Sequence, residues 1–423
     1  MTTSELPTVV YLGNFELPDR NAAALRVRGN ARIFRDLGYR VVLVGVSRDT
    51  AGEDLSSSSC ESGDQGIEAW AMAYPSGTGE WMRRITSIRP LIEVVERADI
   101  SRLALVICYN YPAVAQLRIA HAARRLGAKA VADVTEWYGR VPGRSPACLV
   151  KNIDTLLRMY LVNPAMEGLI TTSSFMSDYY QPTGLPIVEI PTLQRGDPGP
   201  PRASTGSAAK KLFFAGSGFD PALVTQGREG LKDRLDWVLE LLFAAAKLGA
   251  VFEMDLFGVT RENYLAIVPE HADLIAGLGD ALRFRGRVPH ADLLDTLRRA
   301  DFSIFMRQTT RVTLAGFPTK FSESVAYGTP AITNPMPSLT NYLIEGETGF
   351  TVDPSDPGAA ARHLTEILSM PAGEVAAMKQ ACARSSQFDY ATFVEPVADW
   401  LAELGLDAAR RRASANCRPM KTV

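Results

Sequence analysis

Short apolar runs alternate with longer stretches of mixed polarity along most of the chain. Each apolar run has the length and composition of a buried strand, and each longer stretch can form a helix. Strands are predicted in the first half at Thr8–Leu12, Arg40–Gly45, Ile67–Met72, Leu103–Cys108, Lys129–Asp133, Gly168–Thr172 and Ile187–Ile190. The helices predicted between them are Ala22–Leu37, Glu80–Ile100, Pro112–Leu126 and Ser173–Tyr180. Strands and helices that alternate in this way predict a parallel sheet.

The same alternation restarts after Gln194–Lys210, a segment rich in Pro, Gly and Ser that has the composition of a linker. Strands are predicted at Leu212–Ala215, Phe252–Phe257, Leu282–Phe284, Phe302–Phe305, Ala331–Thr333 and Phe350–Val352. Helices are predicted at Asp233–Lys247, Arg261–Ala276, His290–Arg299, Pro318–Tyr327, Ser338–Ile344, Pro357–Ser369 and Gly373–Ser385. The pattern therefore predicts an α/β protein with two Rossmann-like, doubly wound parallel-sheet domains. Because ligands bind beyond the carboxyl ends of such strands, we expect the domains to face a cleft.

The linker and a second break at Gln387–Asp389 set the predicted domain boundaries. The first domain covers residues 1–193, the linker 194–210 and the second domain 211–386. A final helix within residues 387–408 is predicted to cross back to the first domain, and residues 409–423 form a basic tail.

Composition narrows the class of protein. The chain has 423 residues, of which 46% are hydrophobic and 22% charged, so it can bury large cores. Its formal net charge of −2 gives no general attraction to nucleic acid. No apolar stretch reaches the roughly 18 residues of a membrane span, and the N-terminus lacks a signal-peptide pattern. Because the cysteines lack a CxxC pair and the histidines lack metal-ligand spacing, we expect a cytoplasmic protein without a built-in metal site or cofactor.

The stretch Phe302–Thr333 contains the clearest candidate for a binding site. An apolar strand leads into a polar loop, and Pro318 then suits the first turn of a helix. Lys320 and Glu323 are three residues apart and therefore share a helix face. A helix start attracts phosphate, Lys320 adds positive charge, and Glu323 can accept hydrogen bonds from ribose hydroxyls. The simpler interpretation is a solvated surface helix with a Lys320–Glu323 pair.

Four stretches together resemble retaining glycosyltransferases of the two-Rossmann-domain (GT-B) type, glycosyltransferase family 4, also called glycosyl transferases group 1. They are FFAG followed by Lys232-Asp233, LRFRGRVPHADLLDTLRRADFSIF, FPTKFSESVAYGTPAIT and NYLIEGETGFTVDP. The resemblance implies that the first domain binds the acceptor and the second a nucleotide-sugar. It also implies that the anomeric configuration is retained and that no metal is needed.

The resemblance assigns roles to individual residues of the second domain. Glu323 matches the second Glu of a Glu–seven residues–Glu pattern and would contact the ribose. The first position of that pattern is Ala315, so the chain departs from the family there. Lys232 and Lys320, with the helix start, would stabilise the leaving diphosphate in catalysis. The residues that the resemblance places around the donor are Gly13, Asn14, Gly216, Ser217, Gly218, Lys232, Arg307, Pro318, Thr319, Lys320, Phe321 and Glu323.

In the first domain, Arg26 belongs to a stretch that either lines the acceptor side or forms an ordinary capped helix. The stretch ADVTEWYG places Asp133, Glu136 and Trp137 at a strand end. Several relatives have a histidine nearby, and Glu136 is the candidate catalytic group here. Trp137 can stack on a sugar or simply pack. The histidines are interpreted as structural, with a helix-capping role for His290.

The prediction is a transferase that moves a sugar from a UDP- or GDP-type donor to a hydroxyl of a glycan, a lipid-linked intermediate or a small metabolite. The alternatives are a nucleotide-sugar epimerase of the same architecture, a glycan phosphorylase, and an inactive binding protein, which Ala315 motivates. Trp and Arg side chains suit an interfacial helix, so weak peripheral membrane contact is a further hypothesis. The same residues could instead rim an acceptor groove; they are Trp81, Arg83, Arg84 and Arg89.

Overall fold

The structure, a computed structural model, describes residues 6–17, 20–50, 55–58, 66–194, 209–216, 219, 221 and 231–406. Most of the predicted linker, residues 195–208, lies outside the described part. The chain divides into two compact units. The first unit comprises Met1–Gln194, Ala315–Phe317 and Asp389–Val423, and the second comprises Arg195–Leu314 and Pro318–Phe388.

The first unit contains an eight-stranded sheet in the order β3-β4-β2-β1-β5-β6-β7-β8. Its strands are β1 (Thr8–Gly13), β2 (Arg40–Ser47), β3 (Ser56–Ser58), β4 (Ile67–Ala73), β5 (Leu103–Tyr109), β6 (Lys129–Val134), β7 (Leu169–Thr171) and β8 (Ile187–Glu189). All neighbouring strands pair in parallel except β3, which runs antiparallel to β4. The short edge strand β3 was not predicted. Every residue of β1 is buried, as expected of a parallel strand covered on both faces.

Helices cover both faces of this sheet. They are α1 (Ala22–Asp36), α2 (Thr78–Arg84), α3 (Arg89–Arg97), α4 (Ala113–Arg125), α5 (Pro146–Leu157) and α6 (Ser174–Tyr180). Val10 and Leu12 of β1 belong to one core cluster, and Val9 and Tyr11 to another, because successive side chains of a strand point to opposite faces. The arrangement is the doubly wound α/β layer structure predicted from the sequence.

The second unit contains a six-stranded, wholly parallel sheet in the order β11-β10-β9-β12-β13-β14. Its strands are β9 (Lys210–Ala215), β10 (Phe252–Phe257), β11 (Leu282–Gly286), β12 (Phe302–Ile304), β13 (Ala331–Thr333) and β14 (Gly349–Thr351). The helices that follow Asp233 are α7 (Leu235–Lys247), α8 (Arg261–Ile267), α9 (Ala272–Leu278), α10 (His290–Arg299), α11 (Arg311–Ala315), α12 (Thr319–Ala326), α13 (Pro357–Leu368) and α14 (Ala372–Arg384). The prediction of two parallel-sheet α/β domains is confirmed.

The final helix, α15 (Val394–Glu403), packs within the first unit. Val397 and Leu401 share a core cluster with Val9 and Tyr11 of β1. The indole N–H of Trp400 donates to the carbonyl oxygen of Pro186 (3.1 Å). Among the described residues, no helix has the combined length and hydropathy required to cross a bilayer.

Two predicted helices are each broken in two at a proline. The predicted helix Glu80–Ile100 is split into α2 and α3, with Pro90 in the first turn of α3. The predicted helix Arg261–Ala276 is split into α8 and α9 around a 3₁₀ turn that starts at Pro269. Proline lacks an N–H to donate to the preceding turn, so it is tolerated at a helix start and breaks a helix interior.

Other element boundaries also differ from the sequence prediction. Helix α7 starts at Leu235, two residues later than predicted, and the predicted helix Ser338–Ile344 is only a 3₁₀ turn, Pro337–Leu339. Helices α5 and α11 were not predicted. Helix α5 carries no buried residue, so its apolar positions do not mark a core-facing stripe.

A buried ion pair joins α1 to the carboxyl-end edge of the first sheet. The guanidinium of Arg26 donates to both oxygens of Asp133, with Nη2 2.8 Å from Oδ1. Its Nη1 donates to the carbonyl oxygen of Ile190 (2.7 Å) and to the hydroxyl of Thr172 (3.2 Å). The hydroxyl of Tyr11 donates to Asp133 as well. Arg26 therefore belongs to the packed interior, which supports the structural interpretation of this residue.

We predict that Asp133→Ala lowers the free energy of unfolding by about 3–5 kcal/mol, because it leaves the buried charge of Arg26 without its carboxylate. Urea unfolding at neutral pH measures the change. The matched control is Glu68→Ala, which removes a partly exposed partner of Arg40 and should cost less than about 1 kcal/mol. Equal losses in the two variants would contradict this account. If Asp133→Ala does not fold, Asp133→Asn provides the comparison.

Candidate active site

The candidate site of the second unit lies beyond the carboxyl ends of three adjacent strands. Gly216 follows β9, Arg307 follows β12 by three residues, and Asn334 follows β13 directly. These strands are neighbours in the sheet order and run parallel, so their carboxyl ends meet at one edge. This edge is where open α/β sheets bind ligands.

A carboxylate joins two cations at this edge. Asp233 accepts a hydrogen bond from Nε of Arg307 (2.9 Å) at one oxygen and from Nζ of Lys320 (2.7 Å) at the other. The three side chains are partly buried, with exposed fractions of 16% for Asp233, 12% for Arg307 and 22% for Lys320. The trio carries a net charge of about +1 if all three groups are ionised at pH 7. The structure thus brings together Arg307 and Lys320, both of which were predicted to face the donor.

The two cations also determine the ionisation of Asp233. Burial alone would raise the pKa of this carboxyl, but the charges of Lys320 and Arg307 and their hydrogen bonds outweigh burial. The net effect is a pKa of about 2, so Asp233 is charged throughout the physiological range.

Arg307 is fixed by its backbone as well as by Asp233. Its N–H donates to the side-chain oxygen of Asn334 (2.8 Å), and the amide of Asn334 donates back to the carbonyl oxygen of Arg307 (2.9 Å). The N–H of Arg234 donates to Met306 in the same segment (2.7 Å). Arg307 and Asn334 help to line a cavity of about 590 Å³, which is within the size range of ligand pockets.

Glu323 lies on α12, slightly more than one helical turn from its start. Its carboxylate oxygen is 3.6 Å from Nε2 of His290, the first residue of α10. Burial raises the pKa of Glu323, and the neighbouring His290 and Lys320 only partly oppose that effect. The residue at the N-cap of α10 is Pro289 rather than His290, and the side chain of His290 approaches Glu323.

The start of α12 differs in detail from the prediction. Pro318 is the residue before the helix rather than its first residue, and Thr319 begins the helix. Phe321 is completely buried and packs edge-on against Phe388, with ring centroids 5.8 Å apart. The side chain of Phe321 therefore belongs to the core, and the predicted contact of this residue with the donor stays a prediction. Pro318 is buried too, and Thr319 is half-buried.

The loop after β9 is described only at Gly216 of its predicted members; Ser217 and Gly218 lie outside the described residues. A side-chain carbon at position 216 would lie 3.0 Å from the ring of Phe214 and 3.8 Å from Nζ of Lys320. Gly216 thus permits a close approach to the lysine. Lys232 is exposed and precedes α7 by three residues, so it lies outside that helix.

Gly13 and Asn14 lie at the end of β1 in the first unit, as predicted. A side-chain carbon at position 13 would lie 2.8 Å from Cβ of Tyr109, so only glycine fits there without displacement. The side-chain oxygen of Asn14 accepts a hydrogen bond from Nη2 of Arg84 in α2 (2.7 Å). The structure thereby links the predicted donor loop to an arginine of α2.

Glu136 is half-buried and follows β6 of the first unit by two residues. The aromatic residue next to it, Trp137, is buried and packs edge-on against Tyr179 (4.8 Å between centroids). Trp137 is therefore a core residue, in line with the simpler of its two interpretations. Glu136 belongs to the first unit, whereas Lys232 and Lys320 belong to the second.

Ala315, at the position of the family's first Glu, is completely buried and belongs to a core cluster of the first unit. Its carbonyl oxygen accepts a hydrogen bond from the hydroxyl of Ser173 (2.8 Å). An ionised carboxylate at this position would have to be desolvated. The local packing is consistent with a small apolar residue.

Sequence reasoning missed the roles of Asp233, His290 and Asn334. Asp233 was placed inside a helix, yet it is the residue that joins Lys320 to Arg307. Two features of the sequence could have indicated that Asp233 forms an ion pair in the site. It is adjacent to Lys232, and its charge is opposite to that of the predicted phosphate-binding residues. Asn334 follows a buried strand and precedes Pro335, a pattern that indicates a loop start at the ligand-binding edge.

Comparison with known proteins finds a family model that matches part of the second unit. Residues 269–385 match the family model described as Glycosyl transferases group 1, a range that includes His290, Arg307, Lys320 and Glu323. The chain is also 31% identical over 131 residues to a glycogen synthase of Mycobacterium tuberculosis. That alignment covers 31% of this chain and 30% of the relative.

Two solved structures share the fold over nearly their whole length. A sucrose-phosphate synthase from Thermosynechococcus elongatus has a TM-score of 0.60 at 14% identity, covering 94% of this chain and 99% of its own. HepE from Anabaena, in complex with UDP, has a TM-score of 0.59 at 15% identity, covering 93% and 99%. At these identities the likeness shows the fold.

We predict that Asp233→Asn lowers the free energy of unfolding by roughly 2 kcal/mol at neutral pH, because the pKa falls from 3.8 to about 2 on folding. A lowered folded-state pKa gives stability that is complete above the unfolded-state pKa near 4 and is lost as the pH falls toward 2. Urea unfolding at pH 7, 5 and 3 should therefore show the gap between parent and variant narrowing at pH 3. Asp273→Asn, an exposed position on α9, is the control and should show little loss at any pH. A gap that stays constant to pH 3 would argue against the ion-pair explanation.

Proposed function

We propose that this chain, whose residues 269–385 match the glycosyl transferases group 1 family model, transfers a sugar from a nucleotide-sugar to an acceptor hydroxyl. The observation that carries the proposal is the arrangement of Lys320 and Arg307 around Asp233, with Glu323 on the same helix as Lys320. Two cations suit a diphosphate, and a carboxylate suits a ribose. We also propose retention of configuration and independence of a metal, as the resemblance to family 4 implies.

The donor would bind at the carboxyl-end edge of the second sheet. Its diphosphate would replace part of the contact that Lys320 and Arg307 make with Asp233, and the α12 N-terminus would add N–H groups and a favourable dipole. These positive groups would stabilise the negative charge that develops on the leaving nucleotide. The side chain of Lys232, exposed beside Asp233, is proposed as an additional phosphate contact.

A uridine nucleotide is the first donor to test, because HepE shares the fold and its structure contains UDP. UDP-type donors are therefore tested first, and both UDP-type and GDP-type donors stay predictions. The acceptor would bind at the corresponding edge of the first unit, where Asn14 and Glu136 follow strand ends. In this proposal Glu136 positions or activates the acceptor hydroxyl.

The location proposed for the protein is the cytoplasm. Cys108, Cys148 and Cys382 carry free thiols, which suits a reducing compartment. Cys108 and Cys382 are buried, and burial raises the pKa of each thiol to about 12, so neither is a reactive thiolate at neutral pH.

A second candidate function, nucleotide-sugar binding without transfer, is favoured by the buried Ala315 at the position of the first family Glu. Turnover separates the two. A transferase should release free nucleotide from its donor slowly even without acceptor, because water can replace the acceptor hydroxyl. An inactive binding protein should bind the same donor and release none.

The first prediction of the proposal concerns the donor. In a thermal-shift panel of UDP, GDP, ADP and TDP with their common sugars, we expect UDP or GDP compounds to stabilise the protein most. A ligand present at one hundred times its dissociation constant stabilises by about 2.7 kcal/mol, which is a readable shift. The best ligand then enters the release assay described above. If none of the four nucleotides raises the melting temperature above that of the ligand-free protein, the proposed function is wrong.

The second prediction concerns Glu323 and Lys320. We expect Glu323→Ala to weaken nucleotide binding by roughly ten- to a hundredfold, because one charged hydrogen bond is worth about 1.5–3 kcal/mol. Glu323→Ala should affect nucleoside and nucleotide alike, since both contain the ribose. Lys320→Ala should weaken only ligands that carry phosphate. Calorimetric titration measures both effects.

The controls for these variants lie on exposed helix faces of the same unit. Glu366→Ala on α13 and Lys247→Ala on α7 should leave nucleotide affinity unchanged. Because burial raises the pKa of Glu323, the affinity of the parent should fall as the pH is lowered toward that pKa, whereas Glu323→Gln should lose this dependence. Unchanged affinity in both Glu323→Ala and Lys320→Ala would mean that the nucleotide binds elsewhere.

A further inference from the structure

A large cavity of the first unit lies beside the predicted donor loop. It has a volume of about 910 Å³ and lies between the end of β4 and helices α2, α3 and α4. We call it the arginine groove, after the four arginines that line it: Arg83, Arg84, Arg89 and Arg118. Because β4 is parallel to β2 and β2 to β1, the groove lies at the carboxyl-end edge of the sheet, where Asn14 also lies.

Two of these guanidinium groups are held by neutral oxygens. Arg84 donates to the carbonyl oxygen of Ala73 (3.3 Å) and to the side-chain oxygen of Asn14 (2.7 Å). Arg118 donates to the carbonyl oxygen of Thr86 (2.6 Å). These contacts orient each guanidinium without neutralising its charge. A charge that is oriented in this way can meet an anion.

The two carboxylates that line the groove are engaged with other groups. Glu80 accepts hydrogen bonds from the N–H (2.7 Å) and the hydroxyl (2.9 Å) of Ser76. Glu93 pairs with Arg89, four residues away on α3. The lining therefore has four cationic and two anionic side chains, a difference of about +2 at neutral pH.

The guanidinium of Arg84 is partly removed from solvent. Its burial lowers the pKa of Arg84, and the hydroxyl of Tyr111, a residue that is 1% exposed, interacts with it electrostatically. Tyr111 itself is not among the residues that line the groove. A guanidinium that has lost part of its hydration interacts more strongly with an anion than a fully solvated one does.

We propose that the arginine groove binds the phosphate of a phosphate-bearing acceptor, with Arg84 and Arg118 as the contacting groups. This inference rests on the proposed function, since it names the chemical class of the acceptor. The phosphate can belong to a soluble sugar phosphate or to a lipid headgroup, and the recognition chemistry is the same. Three of the arginines in the earlier hypothesis of weak membrane contact line this groove. Under the present proposal, this concave site binds an anion.

The test uses the full chain and two soluble probes, glucose 6-phosphate and glucose, in calorimetric titration. The parent should bind the phosphate ester and not glucose. Arg84→Gln and Arg118→Gln should each weaken glucose 6-phosphate binding by about tenfold, since each removes a charge-assisted contact. Arg84→Lys keeps the charge and should lose less. The affinity of the parent should also fall with increasing salt.

Two control variants localise the effect. Arg102→Gln removes the same charge from an exposed position of the first unit outside the groove, and should leave the affinity for glucose 6-phosphate unchanged. Lys320→Gln should also leave it unchanged, which excludes binding of the probe at the proposed nucleotide site. UDP affinity and the melting temperature, measured in each arginine variant, report whether the fold is intact.

The lipid source is tested by co-sedimentation with vesicles of phosphatidylglycerol, compared with phosphatidylcholine. Binding to the anionic vesicles that is lost in Arg84→Gln and Arg118→Gln supports the groove with a lipid-borne phosphate. Vesicle binding that survives in both variants, with no preference for glucose 6-phosphate over glucose, overturns the proposal. The proposal is also overturned if the parent protein binds neither glucose 6-phosphate nor the anionic vesicles. If UDP still binds in that case, the proposed function stands and only the acceptor class is wrong.

Discussion

Each unit depends on a carboxylate that holds cationic side chains at the carboxyl-end edge of its parallel sheet. Asp133 holds Arg26 in the first unit, and Asp233 holds Arg307 and Lys320 in the second. Parallel strands all end at the same edge, so polar groups from distant parts of the sequence converge there. An arginine or lysine that is buried at this edge requires a hydrogen-bond acceptor, since an unpaired buried charge is strongly destabilising.

The difference in burial between the two ion clusters distinguishes the structural role of the first from the ligand-binding role proposed for the second. Asp133 and Arg26 are almost fully enclosed, and the guanidinium also donates to backbone and hydroxyl oxygens. Each nitrogen of the Arg26 guanidinium thus already donates to protein oxygens inside an enclosed site, so a ligand could not reach it. The cluster around Asp233 is partly open, and each of its two cations shares a single carboxylate. A diphosphate could therefore contact these cations with its own oxygens without any disruption of a buried core.

The fold and the helix that carries Lys320 and Glu323 could be predicted because they depend on local pattern. Buried strands are continuous apolar runs, Asn21 caps α1, and Gly328 adopts the left-handed conformation that ends α12. The pairing of Asp233 with Lys320 could not be predicted, because 87 residues separate them and only the sheet order brings them together. Arg26 and Arg307 likewise look equivalent in sequence, and burial alone distinguishes them.

The departure at Ala315 has a limited physical meaning. The family pattern uses one Glu for the sugar and a second for the ribose, and this chain keeps only the second, Glu323. The residues proposed to contact phosphate and ribose lie on α12 and on the loops after β12 and β13, and none of them is residue 315. Under the proposed function, the nucleotide part and the sugar part of the donor would therefore be bound by separate residues. A buried alanine whose carbonyl oxygen accepts from Ser173 would then leave the proposed nucleotide contacts intact, and other groups would select the sugar.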